Sequence, residues 1–127
     1  MNIIGIGIDI VETARIESMI ERHGDRFLER VFTPAEIEYC KSMKCAAPYY
    51  AARFAVKEAV SKAFGTGIGA SVAFKEVEVR RTEQGRPFVV LHGAAKQCAS
   101  NLKVTTILIS ISHSDHYAVA NALAVSG

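Results

Sequence analysis

The stretch Ile4-Gly5-Ile6-Gly7-Ile8-Asp9-Ile10 alternates without a break, with four isoleucines on one side and Gly5, Gly7 and Asp9 on the other. Period-two alternation is the pattern of a β-strand, here with one apolar face and one nearly bare face. Glycine weakens a strand because it has no side chain to pack. Two glycines on one face therefore imply that something packs closely against that backbone, with Asp9 beside the contact. Downstream, Thr13 is placed to cap a helix that Gly24 would end. On that helix Ile16 and Ile20 form an apolar stripe, Arg15, Met19 and Arg22 follow on an adjoining face, and Glu17 and Glu21 point roughly the other way.

Thr33-Pro34-Ala35-Glu36 combines a cap residue, proline at the first helical position and glutamate three residues after the cap, so a second helix starts there. Pro48 is suited to open a third. From Ala52 onward, Val56, Ala59, Val60, Ala63 and Phe64 make the stripe of a core-facing helix that ends at Gly65. The second half changes character. Phe74 to Arg81 and Pro87 to Leu91 read as a hairpin around Glu83-Gln84-Gly85-Arg86-Pro87. After a short helix near Ala94 to Leu102, Val104 to Ser112 and Tyr117 to Val125 read as two further strands. Helices early and strands late predict an α+β fold, a mainly antiparallel sheet packed with helices, as a single domain over residues 1–127.

The chain has 127 residues, half of them apolar, enough for one core without disulfides or a structural metal. Cys40, Cys45 and Cys98 include no C-x-x-C pair and suit a reducing compartment. No apolar run approaches the about 20 residues of a membrane span, so a soluble cytoplasmic protein is expected. A net charge of +2 is too small to argue for nucleic acid.

Glu58 and Lys62 lie one helical turn apart, opposite the apolar stripe. They could be an ordinary exposed pair worth about 0.3–0.5 kcal/mol. They could also belong to a phosphate and metal site, since Lys57 and Arg53 flank the same helix. Mg²⁺ takes one or two carboxylates, waters and substrate phosphates, while lysine and arginine neutralise the remaining phosphate charge. Asp9, on the glycine-cleared face, is the natural second carboxylate. Gly65-Thr66-Gly67-Ile68-Gly69 lacks the G-K-[ST] ending of a P-loop and follows a helix, so it is either a C-cap or a phosphate-contacting loop. Ser112-His113-Ser114-Asp115 does not suit a hydrolytic triad, because consecutive residues point in different directions. His113 fits a polar turn residue or a phosphate contact, and His23 and His92 are read as structural or solvated.

Three motifs now stand in order: Gly5-Ile6-Gly7-Ile8-Asp9-Ile10-Val11-Glu12, Arg53 through Gly67 (RFAVKEAVSKAFGTG), and Ser110-Ile111-Ser112-His113-Ser114. Together with the Gly85-Arg86-Pro87 turn they resemble the bacterial holo-acyl carrier protein synthase family of 4′-phosphopantetheinyl transferases. The resemblance spans essentially the whole chain. It implies the fold of that superfamily, a homotrimer with coenzyme A held between subunits, and Mg²⁺-dependent transfer of phosphopantetheine to a serine of apo-acyl carrier protein in fatty acid biosynthesis.

By the same resemblance, Asp9 and Glu58 would hold the metal, and Lys62 would contact phosphate and stabilise the leaving group. Arg53, Lys57, Gly65, Thr66, Gly67, Arg86 and Pro87 would line the nucleotide cleft, with His113 toward the 3′-phosphate. Arg15, Met19, Arg22 and Arg26, with Phe27, would dock an acidic carrier. Residues 15–30 carry four arginines against three glutamates and one aspartate, so docking would depend on segregation by face. A non-catalytic coenzyme A binding module, a metal-dependent phosphohydrolase and a purely structural trimer, which would leave the Glu58 and Lys62 face unexplained, are the alternatives. The first does not need both carboxylates, and the second needs no docking face.

Overall fold

A computed structural model describes residues 1–127. Strand β1 (Asn2–Glu12) is followed by helices α1 (Thr13–His23), α2 (Asp25–Val31), α3 (Pro34–Lys41) and α4 (Ala47–Ala63). A 3₁₀ turn (Phe74–Glu76) leads into the hairpin β2 (Val77–Arg81) and β3 (Pro87–Leu91), then α5 (Gly93–Asn101), β4 (Thr106–His113) and β5 (Tyr117–Ser126). Both sheets are antiparallel: a three-stranded one in the order β1-β5-β4, and the separate β2-β3 hairpin. The expected α+β architecture is what the chain adopts.

The close contact implied by Gly5 and Gly7 is with α4. A methyl group built on Gly7 would fall on the carbonyl oxygen of Ala59, and one on Gly5 on that of Ala63. The neighbouring strand matches this clearance. Ala118, Ala120, Ala122 and Ala124 of β5 are all buried, and Gly7 pairs with Ala122 and Asp9 with Ala120. Helix α4 packs on both β1 and β5 and buries Ala52, Ala55, Ala59 and Ala63, so small residues on both sides bring helix and sheet backbones together. The isoleucine face of β1 consequently points outward, with Ile6 70% exposed and Ile10 64% exposed. Alternation defines two faces, and the glycines decide which one is covered.

Several boundaries differ from the sequence expectation for local reasons. Thr13 is not a cap; Glu12 occupies that position, and the Thr13 backbone N–H donates to His116 O at 2.9 Å. Gly24, at φ +53°, does end α1, but the chain re-enters a helix at once, giving an unanticipated α2 that buries Phe27, Leu28 and Val31. Helix α4 starts at Ala47 and runs through the Ala52 stripe as one element. The strand expected from Phe74 begins only at Val77. The Thr33 capping box is present, with Glu36 N donating to Thr33 Oγ1 at 3.3 Å and Thr33 N to Glu36 Oε1 at 2.8 Å.

Because a Cβ at Gly7 would strike backbone atoms, which cannot swing aside, Gly7→Ala is expected to lower unfolding free energy by about 1–3 kcal/mol. Urea denaturation checks this: the midpoint falls at unchanged slope, whereas an unchanged midpoint would mean that the close approach carries no strain.

Candidate active site

The contact of Gly7 with Ala59 sets the register between strand and helix, and the functional groups lie beside it. Glu58 precedes Ala59, Lys62 precedes Ala63, and Asp9 follows on the same face of β1. Lys62 Nζ donates to Asp9 Oδ1 and to the Ile8 carbonyl, both at 3.0 Å. Its ion-pair partner is therefore Asp9 across the interface, not Glu58 one turn away. Burial, and then the negative charge of Asp9, hold the Glu58 carboxyl above the usual glutamate range, while Lys62 and Arg15 pull it down. Two interacting carboxylates and an exposed ammonium thus meet at one spot.

That donor set has a definite chemistry. No three His, Cys, Asp or Glu side chains converge anywhere to form a metal cage. Asp9 and Glu58 instead offer the one or two carboxylates with which Mg²⁺ is held when substrate phosphates and water complete its shell.

A cavity of about 640 Å³ opens beside Glu58. Arg15, Met19 and Arg26 line it, as do Phe27 of α2, Phe54 of α4 and Phe74 of the 3₁₀ turn. The Phe54 and Phe74 rings lie 5.1 Å apart and form one wall. Of the docking candidates, Arg22 is exposed but does not border this cavity. His23 and Arg30 do border it: His23 ends α1 just before Gly24, and Arg30 lies on α2 beyond that turn, and sequence periodicity had joined neither to the Arg15 face. His23 is exposed, as the solvated reading has it, and lies at the edge of this cavity.

A second, smaller cavity of about 160 Å³ brings together Arg53, Pro87 and His113, with Tyr49 and Arg81. Arg53 is 3% exposed, and its Nε has no partner. Arg86 lies outside this cavity, on an exposed surface with Thr82 and Phe88. Gly65 and Gly67 have φ of +79° and +66°, as a C-cap loop requires, and the Thr66 hydroxyl donates to Gly67 O at 2.9 Å.

Lys57 requires a correction: it does not line a nucleotide cleft. It is wholly buried and donates to Glu36 Oε1 at 2.9 Å, Phe74 O at 3.0 Å and Val77 O at 2.7 Å. The second oxygen of Glu36 accepts from Val79 N at 2.8 Å. Burial pushes the Lys57 ammonium below its usual pKa, and Glu36 opposes that shift. With all three protons donated inside the core, Lys57 has none for a ligand. It ties α3, the 3₁₀ turn and β2 to α4, and removing one partner of such a pair costs about 3–5 kcal/mol.

His92, also read as structural or solvated, bonds Glu78 at 2.9 Å. The three cysteines are free, and burial pushes the Cys40 thiol up to about 12, which makes it unreactive.

In metal-free protein the coupling of Glu58 to Asp9 is measurable by carboxyl ¹³C NMR. Asp9→Asn removes a negative neighbour and should shift the Glu58 titration to lower pH, while Lys62→Met should shift it higher. A Glu58 midpoint indifferent to both changes would show that the groups do not share a site.

Comparison with known proteins places the sequence and the fold in a family. The family model described as the 4′-phosphopantetheinyl transferase superfamily matches residues 5–122. A holo-[acyl-carrier-protein] synthase of Koribacter versatilis is 50% identical over 121 residues, covering 95% of this chain and 97% of that protein. One from Ruminiclostridium cellulolyticum is 52% identical over 120 residues, covering 93% and 89% respectively. Among solved structures, the synthase of Neisseria meningitidis superposes with a TM-score of 0.92 at 30% identity, covering 98% of this chain and all of that one. The Bacillus anthracis synthase, solved in complex with CoA (3′,5′-ADP), gives 0.82 at 40% identity, covering 98% of each chain. With the family model matched over residues 5–122, relatives near 50% identical over almost the whole chain and the fold in agreement, the chain belongs to the 4′-phosphopantetheinyl transferase superfamily.

Proposed function

We propose that the protein is a holo-[acyl-carrier-protein] synthase that transfers 4′-phosphopantetheine from coenzyme A to a serine of apo-acyl carrier protein, in fatty acid biosynthesis in the cytoplasm. The observation that carries this reading is the meeting of Asp9 and Lys62 with Glu58, which itself lines the cavity shared with Arg15, Met19 and Arg26. A phosphate-handling cluster borders a surface with cationic edges and an apolar centre, complementary to an acidic helical protein. A binding module has no need of two interacting carboxylates, and a hydrolase has no need of the docking cavity.

The serine oxygen bonds to the donor's β-phosphorus as the bond from that phosphorus to the bridging oxygen breaks. The electron pair departs on adenosine 3′,5′-bisphosphate. Such transfers are accelerated mainly by positioning and by stabilisation of charge on the phosphoryl and leaving oxygens. Lys62 supplies a cation for the pyrophosphate. Either Glu58 or a water beside it takes the serine proton, and a carboxylate that binds Mg²⁺ is the poorer base of the two. Asp9 and Glu58 would hold Mg²⁺, which when bound neutralises the pyrophosphate oxygens. Arg53 and His113 would meet the nucleotide's 3′-phosphate, with Pro87 beside them and Gly65, Thr66, Gly67 and Arg86 nearer the rim.

The working unit is a homotrimer in this reading. Two observations support self-association. Ile4, Ile6, Ile8 and Ile10 present an uncovered apolar row on β1. The cavity at Arg53 and His113 includes none of Asp9, Glu58 or Lys62, so a donor reaching both sets is more readily held between copies.

Incubation with coenzyme A, Mg²⁺ and apo-acyl carrier protein should add one phosphopantetheine mass to the carrier. Chelation should abolish the gain, and Asp9→Ala and Glu58→Ala should each slow it by at least about 100-fold. Coenzyme A binding without any gain on several carriers would support the binding-module reading, and coenzyme A cleavage without a carrier would support a hydrolase.

A further inference from the structure

Arg53 poses a physical problem in the isolated chain. Its guanidinium is almost fully buried, it forms no ion pair, its Nε lacks a partner, and its one hydrogen bond, to Tyr49 O, is long at 3.4 Å. A buried cation without a counter-charge is costly, so the surroundings should either neutralise it or be arranged to receive an anion. Neutralisation is absent. No acidic residue lines the cavity, and the other charged side chain on its wall is a second arginine, Arg81.

Arg81 ends β2, where it forms the last ladder pair before the hairpin turn, opposite Pro87. Its Nη2 donates to Gly85 O at 2.7 Å, where Gly85 has φ +88°, so one edge of the guanidinium is fixed by the turn. The remaining N–H groups form no ion pair. The two arginines share one support: Arg53 Cζ lies 4.2 Å and Arg81 Cζ 6.0 Å from the centroid of the Tyr39 ring. Cation–π attraction lets a single ring hold two like charges near each other without a carboxylate that would compete for them. Tyr39 is braced edge-on by Tyr49, with centroids 6.2 Å apart, and Tyr49 is braced by His113 at 5.3 Å. The cavity, about 160 Å³, is smaller than the about 300–1,000 Å³ of whole-ligand pockets and suits one substituent of a ligand.

We infer that Arg81 is a specificity-determining contact for the phosphate monoester on the donor's ribose, and that Tyr39 is the positioning residue that holds Arg53 and Arg81 toward it. The inference rests on the transfer reading above and adds two residues to it. Arginine is suited to the role because its planar fork donates two hydrogen bonds to one phosphate.

The experiment compares transfer from coenzyme A with transfer from 3′-dephospho-coenzyme A, which lacks only that monoester. Arg81→Gln should raise the KM for coenzyme A roughly tenfold or more, the effect of losing a charge-assisted hydrogen bond, with little change in kcat. Its KM for the dephospho donor should stay at the wild-type value, and Arg81→Lys should recover part of the loss. Tyr39→Leu should act in the same direction and on the same donor only. Arg80→Gln, on the adjacent strand position and paired with Glu78 at 3.0 Å, should change neither donor.

Equal losses on both donors would reduce Arg81 to a brace for the hairpin turn, and an unchanged KM for coenzyme A would remove it from the site; either result overturns the inference. If the wild type transfers from neither donor, the transfer reading fails. Calorimetric binding of the two nucleotides to wild type and Arg81→Gln then tests Arg81 by itself, and equal weakening toward both, or none, overturns the assignment.

Discussion

The approach of α4 to the bare face of β1 governs the arrangement of the molecule. Gly5 and Gly7 leave no room for a side chain against the carbonyls of Ala63 and Ala59, and the alanines of β5 extend the same clearance. Interlocking at backbone distance fixes the helix in both translation and rotation, because any slip would press a Cβ into a carbonyl. Asp9 therefore stands opposite Lys62, with Glu58 within electrostatic reach. The same residues that close the core set the geometry of the cluster.

Helix α4 distributes its polar residues among different tasks at nearly every turn. Arg53 points to the small cationic cavity, Lys57 into the core, Glu58 to the large cavity, and Lys62 to Asp9. Lys57 holds Phe74 O and Val77 O against the helix, so the segment carrying Phe74 forms a wall beside Glu58. A buried ion pair of this kind is weak evidence for net stability, since desolvating both charges offsets their attraction. Its role here is to specify which loop lies next to the site. The Thr33 capping box serves the same end, because it turns Glu36 inward to meet Lys57.

Much of this was legible in the sequence where the signal is local. The alternation at Ile4–Ile10 gave the strand, Thr33-Pro34-Ala35-Glu36 the cap, the Gly85 turn the hairpin, and the Val56–Phe64 stripe the buried side of α4. The glycines even signalled a close neighbour. What escaped was long-range. Periodicity placed Lys57 on the flank of its helix but could not show that Glu36, 21 residues earlier, waited inside the core. It could not join Arg30 to Arg15 across the bend at Gly24, nor bring Tyr39 and Arg81 to Arg53. The role of the isoleucine face is likewise set by what covers it, and nothing in a single chain does.

The central claim is that Asp9 and Glu58, aligned by the helix–strand contact, form the place where a metal and the donor's pyrophosphate meet. Anomalous diffraction from crystals grown with coenzyme A and Mn²⁺ tests it directly. The account predicts a metal peak bounded by the carboxylates of Asp9 and Glu58 and by pyrophosphate oxygens, with Lys62 against the phosphates. A metal held by the pyrophosphate away from both carboxylates, or a pyrophosphate lodged elsewhere on the protein, would contradict it.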